Sequence, residues 1–202
     1  DLILVGPGIG TGNTAGELVA YLLSNSRLPV VLDADALNLI AREPALLQQA
    51  SCPTVITPHL GEMARLTGKS IAELKEDLPA AALDFAKRFH TICVLKDART
   101  VVASPEGRVY INTSGCSALA TAGSGDVLAG ILASLLVQQN HAPHPQPADR
   151  TAAAAVFLHG LLGELAASQR NEASVLAGDL IQTLTFDPLF RGQETLERHS
   201  VF

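Results

Sequence analysis

The sequence predicts an α/β chain in three layers: a mainly parallel central sheet, helices on both of its faces, and one antiparallel hairpin. Two features carry that expectation. Short apolar runs alternate with segments of helical periodicity from residue 2 to about residue 96. Two further apolar runs, Val101–Ala103 and Val109–Ile111, are joined by Ser104-Pro105-Glu106-Gly107, a turn that folds a hairpin.

Leu2-Ile3-Leu4-Val5 is an all-apolar strand of the kind found in parallel sheets covered on both faces. Gly6-Pro7-Gly8-Ile9-Gly10-Thr11-Gly12 follows. A helix comes next, with Ala15, Leu18, Val19, Leu22 and Leu23 as its apolar stripe and Thr14 with Glu17 as a capping box. Pro29–Asp33 is the second strand, so the opening is a βαβ unit. Asp35 is the expected N-cap of the helix after it. Thr54–Thr57 is a third strand, running into Pro58-His59-Leu60-Gly61-Glu62 and a short helix, Met63–Thr67. Ser70 and Glu73 form a second capping box. Ala80–Phe89 presents Ala82, Phe85, Ala86 and Phe89 on one face, and Thr91–Lys96 is a fourth strand.

Beyond the hairpin, Thr121-Ala122-Gly123-Ser124-Gly125-Asp126 leads into an apolar helix, Val127–Val137. Val127, Leu128, Ile131, Leu132, Leu135 and Leu136 form its stripe. Ala129, Gly130, Ala133 and Ser134 are small enough to let a neighbour approach, so this helix is expected to be buried on most sides. A Pro/His-rich connector, Asn140–Pro147, precedes two closing helices near Ala148–Ser168 and Ser174–Leu184. The alternation reads as a doubly wound sheet without internal repeat. Residues 1–186 read as one domain and 187–202 as a loose tail.

The bulk numbers agree. A chain of 202 residues can bury about 70% of its unfolded surface. With 48% hydrophobic and 17% charged residues it is well cored, and with 4% aromatics the core is aliphatic. A net charge of −6 without a Lys/Arg cluster excludes a nucleic-acid footprint. Cys52, Cys93 and Cys116 are scattered and odd in number, which predicts a reducing, cytoplasmic setting with no disulfide framework or zinc site. No membrane span is expected: Val127–Val137 is too short, and Thr151–Ala167 carries His159 and Glu164. The chain opens at Asp1, without Met, inside an apolar run, and this raises the expectation of sequence upstream.

The polar clusters fall at the carboxyl ends of the strands, where open α/β sheets bind ligands. The loop before Val127 is the most telling. A helix N-terminus offers unpaired N–H groups and a partial positive charge. Ser124 or Asp126 could simply cap that helix. Capping does not call for glycines on both sides of Ser124, whereas backbone N–H groups facing an anion do. Asp126 beside a bound phosphate would serve as a general base. A rival lies in Gly10-Thr11-Gly12-Asn13-Thr14-Ala15 with Asp33, which fits a dinucleotide fingerprint. Its first glycine lies five residues past Val5, too far for the tight turn that fingerprint requires.

Other polar residues have ordinary readings too. His59 could cap a helix, Glu62 could be a first-turn carboxylate or a water-mediated Mg²⁺ ligand, and Lys96 could be solvated surface. Asp33 and Asp35 could be caps. His159 reads as a satisfied core histidine, and His141, His144 and His199 as surface.

Four motifs then occur in order: Gly6-Pro7-Gly8-Ile9-Gly10, Asp33-Ala34-Asp35-Ala36-Leu37-Asn38, Thr57-Pro58-His59-Leu60-Gly61-Glu62 and Gly123-Ser124-Gly125-Asp126-Val127-Leu128-Ala129-Gly130. As a set they resemble the NAD(P)H-hydrate dehydratase family, whose fold is ribokinase-like. The resemblance implies an enzyme that uses ADP or ATP, with Mg²⁺, to return hydrated NADH or NADPH to the working cofactor. It does so by phosphorylating the ring hydroxyl and eliminating phosphate. Asp126 matches the family's catalytic aspartate, and Gly8 and His59 match positions that contact the damaged cofactor. Lys96, Asp97, Ala98, Arg99 and Thr100 match the nucleotide-binding segment, and Gly125 touches the same nucleotide. The family more often has Gly at the position of Asp97. Its N-terminal part, with further strands and part of the substrate pocket, has no counterpart here. The resemblance further implies a homo-oligomer, a tetramer, and leaves open an epimerase domain fused upstream. A ribokinase-like kinase of small alcohols and a Rossmann-type binding module are the alternatives.

Overall fold

The computed structural model describes residues 1–186. Strands β1 (Ile3–Val5), β2 (Val30–Leu32), β3 (Thr54–Ile56) and β4 (Ile92–Leu95) lie side by side in chain order and run parallel. β5 (Val101–Ala103) and β6 (Val109–Ile111) extend the sheet as the expected antiparallel hairpin. The register sets Leu4 beside Val31 and Val31 beside Val55, and β4 sets Val94 beside Val102.

Because strand side chains alternate, this register sorts the core into two halves. Val30, Leu32, Ile56, Leu95 and Val101 face one way, onto α1 (Asn13–Asn25), α2 (Asp35–Ile40), α3 (Leu60–Thr67), α4 (Ile71–Glu76) and α5 (Leu78–Phe89). Val31, Val55, Val94 and Val102 face the other way, onto α6 (Ser124–Asn140) and α7 (Ala148–Gln169). α8 (Ala177–Phe186) packs on α6 and α7. Helices thus cover both faces, as expected, but the path is not doubly wound. Within the described residues the strand order never reverses, so right-handed crossovers lay α1 to α5 on one face. The helices that follow the hairpin close the other.

Local signals were partly overruled. The Ser70–Glu73 capping box forms as expected, with reciprocal bonds of 2.8 and 3.2 Å. The Thr14–Glu17 box does not, because α1 begins two residues earlier with Gly12 as its side-chain-free N-cap. Nor does Asp35 cap α2: Ala34 holds that position, and the Asp35 carboxylate instead accepts the Gly10 N–H at 2.9 Å. A 3-10 segment, Pro44–Gln49, has no counterpart in the sequence reading. β1 is less covered than expected, with Leu4 half-exposed on the sheet edge. Among the described residues α7 alone is long and apolar enough to cross a bilayer, yet its buried face packs on α6 and the sheet. The expected tail, 187–202, lies outside the described residues.

Candidate active site

The rim at the carboxyl ends of the strands is organised by a buried ion pair. Asp33, just past β2 and 1% exposed, accepts from Lys96 Nζ at 2.8 Å and from Thr57 Oγ1 at 2.7 Å. The ends of β2, β3 and β4 are thereby tied across the sheet. Lys96 is not the solvated surface residue that its position could suggest. A Cβ built on Gly125 would meet Lys96 Nζ at 3.4 Å, so the ammonium lies directly under the loop that opens α6. Gly6 packs against the same aspartate from the β1 side, with φ +139° and no room for a side chain. Ala34, between the two aspartates, sits at φ 49°, ψ −118°, a conformation that costs a non-glycine residue about 1–3 kcal/mol. Such strain persists only where the surroundings hold it, and here both flanking carboxylates are hydrogen-bonded.

At the end of β3, His59 and Glu62 form the capping box of α3. His59 Nδ1 accepts from the N–H groups of Gly61 and Glu62, and the Glu62 carboxylate accepts the His59 N–H at 2.8 Å. His59 therefore does cap a helix; its Nε2 lies 3.4 Å from the second Glu62 oxygen, and the side chain is 54% exposed. Glu62 is buried. Burial pushes its carboxyl above the usual range and the nearby Asp33 charge adds to this, against the pull of the His59 N–H and of Lys96. The segment Lys96–Thr100 forms the turn between β4 and β5. Ala98 and Arg99 are exposed there, and Arg99 bonds the Thr113 carbonyl at 2.9 Å. Gly8, at φ +72°, is exposed in the loop after β1 with open space where a Cβ would stand.

The loop before α6 differs from the expectation in one respect. α6 is not buried on most sides: Asp126, Gly130 and Ser134 form an exposed stripe. That stripe borders a cleft of about 380 Å³ whose walls include Val127, Ile131, Leu162, Leu180 and Leu184. Neither Ser124 nor Asp126 caps the helix. The N-cap is Gly123, in the left-handed region at φ 83°, with no side-chain bond. Among the described residues the N–H groups of Gly125 and Asp126 have no protein acceptor, while Ser124 N–H turns back to Thr121 O. The geometry is that of an anion-binding helix start with a carboxylate beside it.

Sequence reasoning took His159 for a satisfied core residue. It is buried on α7, and its partner is Ser124, whose Oγ lies 3.1 Å from His159 Nε2. Burial, with a smaller contribution from Lys96, pushes its pKa from 6.5 down to about 4, against the opposing effect of Ser124. The unfolded imidazole binds a proton below about pH 6.5 that the folded one refuses until about pH 4. Its contribution to stability is thus complete above the higher value and lost as pH falls through the lower one. The shift corresponds to about 3 kcal/mol. His159→Gln should flatten the pH dependence of unfolding free energy across that window, as measured by urea denaturation.

With the geometry in place, the likeness to known proteins decides the family. A family model described as NAD(P)H-hydrate dehydratase matches residues 1–185. The chain belongs to that family. It is 43% identical over 186 residues to the bifunctional NAD(P)H-hydrate repair enzyme Nnr of Moorella thermoacetica, covering 92% of this chain and 34% of the relative. It is 40% identical over 181 residues to the ADP-dependent (S)-NAD(P)H-hydrate dehydratase of Neisseria meningitidis, covering 88% of this chain and 59% of that protein. The ADP/ATP-dependent NAD(P)H-hydrate dehydratase of Bacillus subtilis, co-crystallised with ATP/Mg²⁺, superposes with a TM-score of 0.78 at 30% identity, over 91% of this chain and 62% of that one. The dehydratase-family chain thus has the ribokinase-like fold. It spans between about a third and three fifths of the length of these curated relatives.

Proposed function

We propose that this chain carries out ADP- or ATP-dependent dehydration of hydrated NADH and NADPH. The observation that supports it best is Asp126: an exposed carboxylate beside two N–H groups without acceptors, on the loop that lies over the Lys96 ammonium. The ring hydroxyl of the hydrated nicotinamide is a poor leaving group. Asp126 takes its proton as the phosphoryl group arrives, while the Gly125 and Asp126 N–H groups hold the phosphoryl oxygens. Phosphate then departs with its bonding electrons as the ring loses a proton, and the double bond is restored. Gly8 and His59 border the dinucleotide, His59 through the exposed part of its ring. Lys96, Asp97, Ala98, Arg99 and Thr100, with Gly125, border the adenine nucleotide. The relatives, one an ADP-dependent dehydratase and one an ADP/ATP-dependent dehydratase, support that co-substrate.

Among the described residues no three acidic or histidine side chains gather as a metal cluster. Asp33 is held by Lys96, one Glu62 oxygen by the His59 N–H, and the other lies 3.4 Å from His59 Nε2. Such a donor set suits Mg²⁺ carried in on the nucleotide phosphates, with Glu62 reaching it through water. When bound, the ion neutralises phosphate charge. The bifunctional relative supports a second catalytic domain beside this one, the epimerase of the family resemblance. A homotetramer is the assembly expected of the whole protein, to be read by light scattering.

The dinucleotide-fingerprint alternative loses support because Asp33 is buried and already engaged, leaving no carboxylate for a ribose hydroxyl. Phosphorus NMR of a reaction with hydrated NADH and ADP or ATP tests the proposal. Free phosphate should rise in step with NADH absorbance, with no phosphoester accumulating. A stable phosphoester formed from another alcohol, with no NADH regained, would identify a kinase instead.

A further inference from the structure

The first turn of α6 is held by few backbone hydrogen bonds. Its N-cap is a left-handed glycine, and its local bonds are Ser124 N–H to Thr121 O and Val127 N–H to Gly123 O. The bond from this turn to a distant element is the one between the Ser124 hydroxyl and His159, 35 residues away, with both side chains buried.

His159 is itself on a fixed post. The same stretch of α7 grips the linker between β6 and α6 at several points. The Phe157 carbonyl accepts the Ser114 hydroxyl at 2.8 Å, and Glu164 accepts the Gly115 N–H at 2.6 Å. Gly160 leaves no room for a Cβ, which would lie 2.1 Å from Ser114 Oγ. Gly163 is filled in the same way by Leu119, whose side chain a Cβ would meet at 2.7 Å. One helix therefore fixes the path of residues 114–119 and then, through His159, the point at which the chain enters α6.

We propose that His159 is a positioning residue: through Ser124 it sets the pitch of the first turn of α6, and with it the aim of the Gly125 and Asp126 N–H groups and the Asp126 carboxylate. It touches neither substrate nor nucleotide. A neutral imidazole suits the post, since it offers a hydrogen-bonding nitrogen without adding a second positive charge near Lys96. The inference deepens the dehydratase reading and rests on it for the catalytic consequence. The mechanical claim about the loop stands apart.

The test compares Ser124→Ala, His159→Leu, His159→Gln and the Ser124→Ala/His159→Leu double variant. Glutamine can return a polar atom to the place of Nε2, whereas leucine fills the volume without it. Two readouts are taken: steady-state dehydration of hydrated NADH, and amide hydrogen exchange at Ser124 and Val127, whose N–H groups are the hydrogen-bonded ones of this turn. The expected result is a kcat lowered about ten- to a hundredfold in Ser124→Ala and His159→Leu, with KM for the hydrated dinucleotide within about twofold. His159→Gln should recover most of the rate, and the double variant should be no slower than His159→Leu. Exchange should quicken in Ser124→Ala and His159→Leu and not in His159→Gln. Wild-type kcat in a folded His159→Leu, a glutamine variant as slow as the leucine one, or multiplicative losses in the double variant would overturn the proposal. If His159→Leu does not fold, Ser124→Ala carries the test alone, upheld by a slower kcat with quickened exchange and overturned by wild-type values of both. If the wild-type chain shows no dehydration, the functional reading fails. Exchange then decides: quickening upheld in the bond-breaking variants alone supports the positioning role, and equal exchange in all of them removes it.

Discussion

Asp126→Asn should leave the fold unchanged and lower turnover on the order of a thousandfold. The two halves of that expectation have separate grounds. The side chain is exposed and makes no cap, since Gly123 closes the helix without a side-chain bond. Its loss removes at most the interaction of one charge with the helix dipole, about 0.3–1 kcal/mol. Asparagine matches the carboxylate in size and keeps the loop in place. It cannot take a proton from the ring hydroxyl, so the attack on the phosphoryl group loses its base. Thermal unfolding and the rate of NADH recovery measure the two halves independently. Full turnover in the variant would remove Asp126 from the chemistry.

Gly6→Ala should cripple folding rather than chemistry. A Cβ at this position would lie 1.7 Å from the Asp33 carbonyl oxygen and 2.7 Å from its carbon, both backbone atoms that no rotamer change can move. The φ of +139° is also closed to an L-residue with a side chain. Relief requires β1 and the β2 end to separate, which pulls on the Asp33–Lys96–Thr57 knot at the rim. A loss of about 3–5 kcal/mol follows, or roughly 10 °C in the unfolding midpoint of a chain this size. Gly8→Ala is the control: its φ is also positive, at +72°, but no atom stands within 4 Å of the added carbon. It should cost only about 1 kcal/mol. Calorimetry on the pair separates steric collision from backbone preference, and equal midpoints would show that Gly6 is not wedged.

The contrast between these glycines marks what could be read from the residues alone. Strand positions were legible because apolar runs are a local signal; the hairpin strands Val101–Ala103 and Val109–Ile111 fall where that signal put them. Helix starts were less so. Whether Gly12 or a Thr14 box begins α1, and whether Asp35 caps α2 or reaches for Gly10, depends on how the loop after β1 lies against β2. Strand order was illegible, since alternation permits the chain to wind either way from the first strand. At the site, the loop before α6 announced itself through its glycines. Asp33 and Lys96 lie 63 residues apart, and Ser124 and His159 lie 35 apart, so neither pair has a local pattern. For the second pair the clue was present in Gly160 and Gly163, one turn apart in an otherwise Ala/Leu-rich helix, a spacing that signals a chain crossing close by.

A crystal of this protein soaked with AMP and NADH would place both ligands against the rim. The nicotinamide ring should lie beside Asp126 and the exposed His59 ring, with the adenylate along Lys96–Thr100 and its phosphate on the Gly125 N–H. A dinucleotide seated on Gly10–Ala15, with Asp126 left to solvent, would contradict the account.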